Sequence, residues 1–402
     1  MSKAKDQYDA EVAVVGGGPA GLVSALALAA AGVETVLVAP PAKPDHRTTA
    51  LLAGSVTALE TLGIWQACQP HAAALRQIRM VDDTARLIRA AEITFDAGEI
   101  GLDAFGYNIE NRHLLAVLDA HATSLKLPRF NGAASAILPD ATGVTIVHAA
   151  GEMRARLAIG ADGHRSLCRA AAGIGTTHRA YPQTALTLNL RHARSHDGVS
   201  TEFHTASGPF TLVPLPGQRS SLVCVLDPHT ADELAAKNDD DLSADVERRA
   251  HSLFGKMNVE PGRGIFPLAV ETAEAFARNR IALVGEAAHL VPPIGAQGLN
   301  LGLRDAATIA ELVADARRDG RDVGGESVVS RYNAQRRADV TSRTVAVDLL
   351  NRSLLTDFLP AQSVRGLSAL LVDRIGPLRR ALMREGVTPA ASQPRLMRGE
   401  MV

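Results

Sequence analysis

Aromatic side chains are scarce, 3% of the 402 residues, with Trp65 the one tryptophan and Tyr8, Tyr107, Tyr181 and Tyr332 the four tyrosines. None of these tyrosines falls clearly on the β-rich part of the pattern described below, so no phenolic acid–base group suggests itself. Cysteine is equally thin. Cys68, Cys168 and Cys224 are odd in number and show no CxxC or Cys/His spacing, which excludes a disulfide framework and a zinc site and suits a reducing cytoplasm. Excess charge is missing too: a net charge of −1 provides no global attraction to nucleic acid. One uncharged run, Val12–Val33, has the 22 residues of a membrane span. Its centre is Gly16-Gly17-Gly18-Pro19-Ala20-Gly21, a turn rather than a span, and Asp6, Asp9 and Glu11 precede it where an export signal would be basic.

That glycine cluster is the first informative feature. It follows the apolar run Val12–Val15 and precedes the Ala/Leu-rich segment 22–31, so it reads as strand, tight turn and helix. Gly16, Gly18 and Gly21 take the three positions of a dinucleotide fingerprint: one for the turn, one for approach of a pyrophosphate, and one for close packing of helix on strand. The acid that normally ends the second strand and binds a ribose hydroxyl is absent. Residues 35–38 lead instead to Ala39, Pro40 and Pro41, and the ribose contact must come from backbone, water or a later residue such as Arg47.

The remaining pattern predicts a helix over 53–62, alternating runs over 77–95, a helix over 111–125, and strands over 134–138, 145–148 and 156–159 that lead to Asp162-Gly163. From 184 to about 267 short β runs dominate, crossed by a helical stretch over 231–254, before the buried run 281–284 rejoins the first pattern. The expected architecture is α/β. It comprises a discontinuous Rossmann-like FAD-binding domain (1–76, 100–180 and 266–340), an inserted, mainly antiparallel β substrate domain (77–99 and 181–265), and a C-terminal helical region (341–402). That last region holds nine Arg, no Lys and five acids, with apolar residues spread among them from Leu354 to Leu382. It reads either as ordinary packing or as an amphipathic basic surface for a membrane or a partner.

The second informative feature is the segment 285–305, GEAAHLVPPIGAQGLNLGLRD. Glu286 follows a predicted strand and is placed to accept hydrogen bonds from cofactor hydroxyls. The loop Pro292-Pro293-Ile294-Gly295-Ala296-Gln297 carries one large polar side chain and can lie flat against a planar ring. A helix opens at Gly298-Leu299-Asn300 and is expected to run through Val313, with its positive N-terminal end facing the loop, a fitting partner for the negative edge of a reduced flavin. Two such sites at opposite ends of the chain suggest FAD rather than a nicotinamide.

Together the Gly16–Gly21 turn, the element 160–169 and the segment 285–305 resemble the single-component flavoprotein aromatic hydroxylases with the fold of p-hydroxybenzoate hydroxylase. Within them the chain looks most like the ubiquinone-biosynthesis hydroxylases. That closer match rests on the loop Arg47-Thr48-Thr49-Ala50-Leu51, on Phe105-Gly106-Tyr107-Asn108, on Gly208-Pro209-Phe210 with Leu212-Val213-Pro214-Leu215, on the 292–305 run, and on the tail 373–382. The resemblance implies that Gly16, Gly18 and Gly21 hold the pyrophosphate with Asp162 and Gly163 nearby, and that Arg47 and Arg112 contact the cofactor. Glu286, where the family has Asp, would bind the ribityl chain; Gly295, Gln297, Gly298, Leu299 and Asn300 would lie at the flavin ring, and the Pro293 backbone would face the substrate.

The implied reaction is hydroxylation of a polyprenylated phenol in ubiquinone biosynthesis. NAD(P)H or another electron donor reduces FAD, O2 adds at flavin C4a, and the hydroperoxide attacks the ring. The implied setting is cytoplasmic, with peripheral contact to the inner face of the membrane or to a multi-enzyme pathway complex. The rival readings are a hydroxylase of a small soluble phenol, a non-catalytic prenyl-lipid-binding flavoprotein, and a halogenase or prenyl reductase on the same fold. A single tryptophan weakens the halogenase. His289 reads as a packed structural histidine, and His204 as either pocket-facing or exposed.

Overall fold

The computed structural model describes residues 9–41, 45–84, 91–293, 295–355, 375–387 and 393–402. Its first layer is an eight-stranded sheet in which Ile281–Leu283, Gly151–Gly160, Ala10–Val15, Thr35–Ala39 and Arg129–Asn131 lie side by side and parallel. The central strands are apolar on both faces because both are covered; Val12, Val14, Leu157, Ile159, Ile281 and Leu283 are all buried. The hairpin Ala134–Pro139 and Val144–His148 adds antiparallel strands alongside Gly151–Gly160. In the uncharged run 12–33 the chain leaves the sheet at Val15, turns as expected, and forms a helix of only 12 residues, Pro19–Ala30. Among the described residues no helix is long and apolar enough to cross a membrane.

The second layer is a nine-stranded, mainly antiparallel sheet. It starts earlier and ends later than the sequence pattern indicates. Thr176–His192 is one strand of 17 residues, paired along much of its length with Gly264–Ala273, and His289–Leu290 adds a short edge. A register shift between Ala180 and Thr184 interrupts the alternation, which is why the first part of that strand is not legible in sequence. Tyr181 therefore does lie on the inserted sheet, contrary to expectation, and packs beside Ala185, Val225 and Leu268. The helical stretch 231–254 is two helices, Pro228–Ala236 and Asp239–Arg249, capped by Asp227 and Asn238.

A third, three-stranded sheet joins the layers, and here the sequence reading needs correcting. Residues 48–52, expected as a loop, form the strand Thr48–Leu52, which pairs with Gly106–Glu110, itself paired with Ala72–Ala74. Gly106 is required by that pairing, since a Cβ there would stand 2.0 Å from the Leu51 carbonyl oxygen. Asn108, on the central strand, donates to the Pro214 carbonyl (2.9 Å) and to Ser221 (3.1 Å) in the large sheet.

Of the C-terminal apolar residues, Phe358, Leu359, Leu367, Leu370 and Leu371, like the matched tail positions Asp373 and Arg374, lie outside the described residues, as do the side chains of Leu354 and Leu355. The helix Gly376–Val387 packs Met383 against Ala97 and Phe105. Its Arg379 pairs with Glu99 (2.7 Å) and stands over the Phe95 ring. Ile375, Leu378 and Leu382 are left exposed.

Candidate FAD site

The parallel strands deliver their C-terminal ends to one edge, where open α/β sheets bind ligands. Gly16 (φ +117°) follows Val15 there, and a Cβ on it would stand 2.1 Å from the Ala161 carbonyl oxygen. A Cβ on Gly21 would meet the Gly16 carbonyl oxygen, also at 2.1 Å. The first and third glycines are thus dictated by packing. Gly18 differs: nothing lies within 4 Å of where its Cβ would be. It is the N-cap of the helix Pro19–Ala30, and no side chain caps that end. The result is a set of free N–H groups over open space, which fits a pyrophosphate.

The distal element meets this turn directly. A Cβ on Gly302 would lie 3.1 Å from Gly285 Cα and 3.3 Å from Ala20 Cβ, so the helix Gln297–Arg318 crosses Pro19–Ala30 at near backbone contact. Glu286 sits in a single turn, Gly285–Ala287, with its side chain exposed and without a hydrogen bond or ion pair among the described residues. Its charge is felt by Arg47, whose pKa is raised first by the Asp45 hydrogen bond and also by Glu286. Pro293, Gly295 and Gly298 are exposed beside it, and Leu299 is half-buried against the core. The helix starts one residue before the expected Gly298 and runs past Val313 to Arg318; Ala296, with φ +54°, precedes it. No side chain caps its start, so it offers a second set of free N–H groups to an anionic group.

Asn300 has a different task from the one its motif position suggests. Its Oδ1 accepts from Leu52 N (2.9 Å) and Ser55 Oγ (2.7 Å), while Nδ2 donates to the Ala50 (2.8 Å) and Ala296 (2.6 Å) carbonyls. It clips the distal helix to the three-stranded sheet. Asp162 is also engaged locally, accepting from Ser166 Oγ (2.6 Å) and Cys168 N (3.1 Å), so it braces the short helix Leu167–Ala171, while the adjoining Gly163 (φ +79°) is open.

Arg47 and Arg112 are each held by an acid that the sequence reading passed over. Asp45 takes the Arg47 guanidinium (2.9 Å) and is itself fixed by Asn111 Nδ2 (2.9 Å). Glu110 takes Arg112 (3.0 Å) and also accepts from Asn189 (3.1 Å) and Arg219 (3.3 Å) of the large sheet. Burial opposes ionisation of Glu110, but the hydrogen bonds from Arg219 and Arg112 outweigh it and hold its carboxyl below the usual range. The pairing of Asp45 with Arg47 is a two-residue spacing that could have been noticed. The pairing of Glu110 with Arg219 spans 109 residues and could not.

Beneath the distal loop lies a buried ionic network. Asp305, with no exposed surface, accepts from Gly285 N (2.9 Å) and Arg336 Nε (2.6 Å) and faces His289 Nε2 at 2.7 Å. Arg336 also reaches Asp339 (2.7 Å), which takes Arg304 (2.9 Å) and Arg343 (3.0 Å); Arg343 then donates to Gln297 Oε1 (3.2 Å). Burial works against the charge on Asp305, and His289 and Arg336 together overcome it, so its pKa is lowered. His289 is 3% exposed and takes the structural part expected of it. His204 turns to Glu202 at 2.7 Å.

Residues 9–346 match the family model described as FAD binding domain. A ubiquinone hydroxylase of Rhodospirillum rubrum is 34% identical over 97% of this chain and 93% of its own. The chain belongs to this family of FAD-dependent monooxygenases. Also similar is the 3-demethoxyubiquinol 3-hydroxylase of Escherichia coli K12, 31% identical over 93% of this chain and 97% of its own. Among solved structures, the p-nitrophenol 4-monooxygenase of Pseudomonas putida superposes with a TM-score of 0.78 at 21% identity, covering 95% of this chain and 99% of that one. This last likeness carries the fold, and it agrees with the two-layer architecture described above. FAD is the family's cofactor, and the open cradle at Gly18 and the uncapped start of Gln297–Arg318 are where this chain has room for it.

Proposed function

We propose that this monooxygenase hydroxylates the aromatic ring of a polyprenylated phenol on the way to ubiquinone, with O2 as the oxygen source and NAD(P)H or another donor as reductant. The observation that carries the reading is the likeness to ubiquinone hydroxylases over nearly the whole chain, in a chain whose two glycine elements meet beside an open, uncapped helix start. Bound FAD supplies the redox centre that activates oxygen.

The chain's own residues bind, orient and exclude water. The N–H groups at Gly18 and the helix behind them take the pyrophosphate, with Gly163 open beside them. Arg47 and Arg112, preset by Asp45 and Glu110, offer positive charge without having to be ordered first. Glu286 accepts from cofactor hydroxyls. Gly295, Gln297, Gly298 and Leu299 supply a flat wall backed by the helix N-terminus, and the Pro293 backbone faces the substrate. Phe266, exposed on the large sheet and 5.6 Å from the Arg47 guanidinium, gives that layer an apolar surface turned to the same region. An apolar enclosure keeps water from the reacting oxygen.

A prenylated substrate resides in a membrane. The exposed Ile375, Leu378 and Leu382, alternating with exposed Arg380 and Arg384, favour peripheral contact with an anionic bilayer over the reading of a small soluble phenol.

The test is mass spectrometry of lipid extracts from aerobically grown cells lacking the gene. Loss of ubiquinone with accumulation of a prenylated phenol short of one ring oxygen is the expected result. Normal ubiquinone in the absence of any second enzyme of this family would overturn the reading.

A further inference from the structure

The second strand of the dinucleotide fold ends without its acid, at Ala39, and the structure shows what stands there instead. Arg129 begins the neighbouring parallel strand, Arg129–Asn131, in register with Leu37. Its guanidinium reaches up the sheet to the end of the second strand, with Nη2 3.4 Å from the Pro40 carbonyl oxygen. The same Nη2 lies 3.8 Å from the position a Cβ on Gly17 would take, and that position is 2.9 Å from Ala39 Cβ. Arg129 therefore spans the glycine turn and the strand end, the two places between which a dinucleotide's adenosine ribose lies.

The fork is held in place but not used up. Nη1 pairs with Asp119 on the helix Asn111–Ser124, which fixes its direction. Nε is buried and has no partner among the described residues, and the contact of Nη2 with Pro40 is long. Buried donors left without acceptors are uncommon in proteins and invite an explanation.

We infer that Arg129 replaces the missing acid and holds the adenosine ribose of bound FAD by donating hydrogen bonds to its oxygens. An acid at this place accepts from the ribose hydroxyls and repels an added phosphate, whereas a guanidinium donates and attracts one. The adenosine end of this site is thus cationic, and it accepts a ribose that carries negative charge. The inference rests on the FAD cradle and not on the prenylated substrate, so either can fail without the other.

The experiment compares FAD with FMN, which lacks the adenosine half, by titration of apoprotein made from the full chain and followed by flavin fluorescence. Arg129→Ala should weaken FAD about ten-fold or more while FMN moves by less than about two-fold. Arg129→Lys, which keeps the charge but loses the fork, should fall between. Asp119→Asn removes the carboxylate's charge but keeps an oxygen that can accept from Nη1, and it leaves Arg129 charged and directed, so it should keep most of the FAD affinity. In the wild type, 2′-phospho-ADP-ribose should displace FAD at least as well as ADP-ribose, and that advantage should vanish in Arg129→Ala. The inference is overturned if Arg129→Ala leaves FAD binding unchanged, if FAD and FMN weaken together, if Asp119→Asn loses as much as Arg129→Ala, or if the 2′-phosphate is rejected. Should Arg129→Ala not fold, Arg129→Lys and the competition assay on the wild type decide.

Discussion

The two glycine elements perform similar tasks by different physics. The turn Gly16–Gly21 is made by backbone contact alone: Gly16 against Ala161, Gly21 against Gly16, with no charged side chain holding either. The element 285–305 is held by charge, through Asp305, Arg336, Asp339 and Arg343, most of them supplied by the helix Glu326–Leu355. A turn specified by steric exclusion is rigid and carries its own instructions. One specified by an ionic network depends on residues that arrive from elsewhere in the chain, and removing a buried partner such as Asp305 leaves Arg336 buried without its main counter-charge.

The largest expected effect tests the steric element. Gly16→Ala faces a 2.1 Å approach to Ala161 O at φ +117°, and should cost more than about 4 kcal/mol in chemical denaturation, with no FAD retained on purification. Gly18→Ala is the matched control: its new methyl meets no protein atom, so stability should stay within about 0.5 kcal/mol while FAD affinity falls about ten-fold. Equal destabilisation by the two would break the contrast.

On the ionic side, Asp305→Ala leaves Arg336 buried without its main partner and should cost about 3–5 kcal/mol, read as a drop in denaturation midpoint. A loss below about 1 kcal/mol would mean that the network is not what holds the distal loop. The clip at Asn300 comes next. Asn300→Ala strands the Leu52 amide and the Ala50 carbonyl and should cost about 2–3 kcal/mol, most of it visible as faster hydrogen exchange at Leu52.

Acid gives a smaller and more specific signature. The folded pKa of Asp305 lies below its ordinary value of 3.8, and that of Asp339 is also lowered. Their stabilisation is therefore complete above that ordinary value and is lost as the pH falls through the folded pKa. Between about pH 4 and pH 2 the wild type should lose stability more steeply than Asp339→Asn. Parallel curves would remove Asp339 from the account. The smallest effect is expected from Arg343→Gln, which gives up the hydrogen bond to Gln297 and the ion pair with Asp339 but leaves Asp339 paired with Arg304 and Arg336; it should change FAD affinity by no more than about three-fold and stability by no more than about 1 kcal/mol.

The same contrast explains what could be read in advance. Gly16, Gly18 and Gly21 were legible because a strand, a turn and a helix in immediate succession impose their own residue types, and the parallel strands around them announce themselves by unbroken apolar runs. Thr48–Leu52 reads as a loop in sequence because a five-residue strand, most of it half-buried, has little periodicity of its own; its partner Gly106–Glu110 lies more than 50 residues on. Tyr181 does not read as a strand residue in sequence because the register shift beside it erases the alternation that marks a strand. Glu286 and the 292–300 loop stood out by motif, yet the structural task of Asn300 could not be read from sequence, since its partners Ala50, Leu52 and Ser55 come from the other end of the chain.

What the sequence alone determined is the local chemistry: two glycine-relieved helix starts able to take an anion, a missing acid at Ala39, and enough kinship to a flavoprotein family to name the cofactor. These follow from short-range rules, in which a residue and its immediate neighbours suffice. Only the tertiary structure decided that Glu110 also takes Arg219, that Asp305 is a buried support and not a free reagent, and that Arg129 stands where the ribose acid is absent. Those outcomes depend on distances between residues tens of positions or more apart, and burial, which sets the strength of each charge interaction, exists only once the chain has folded.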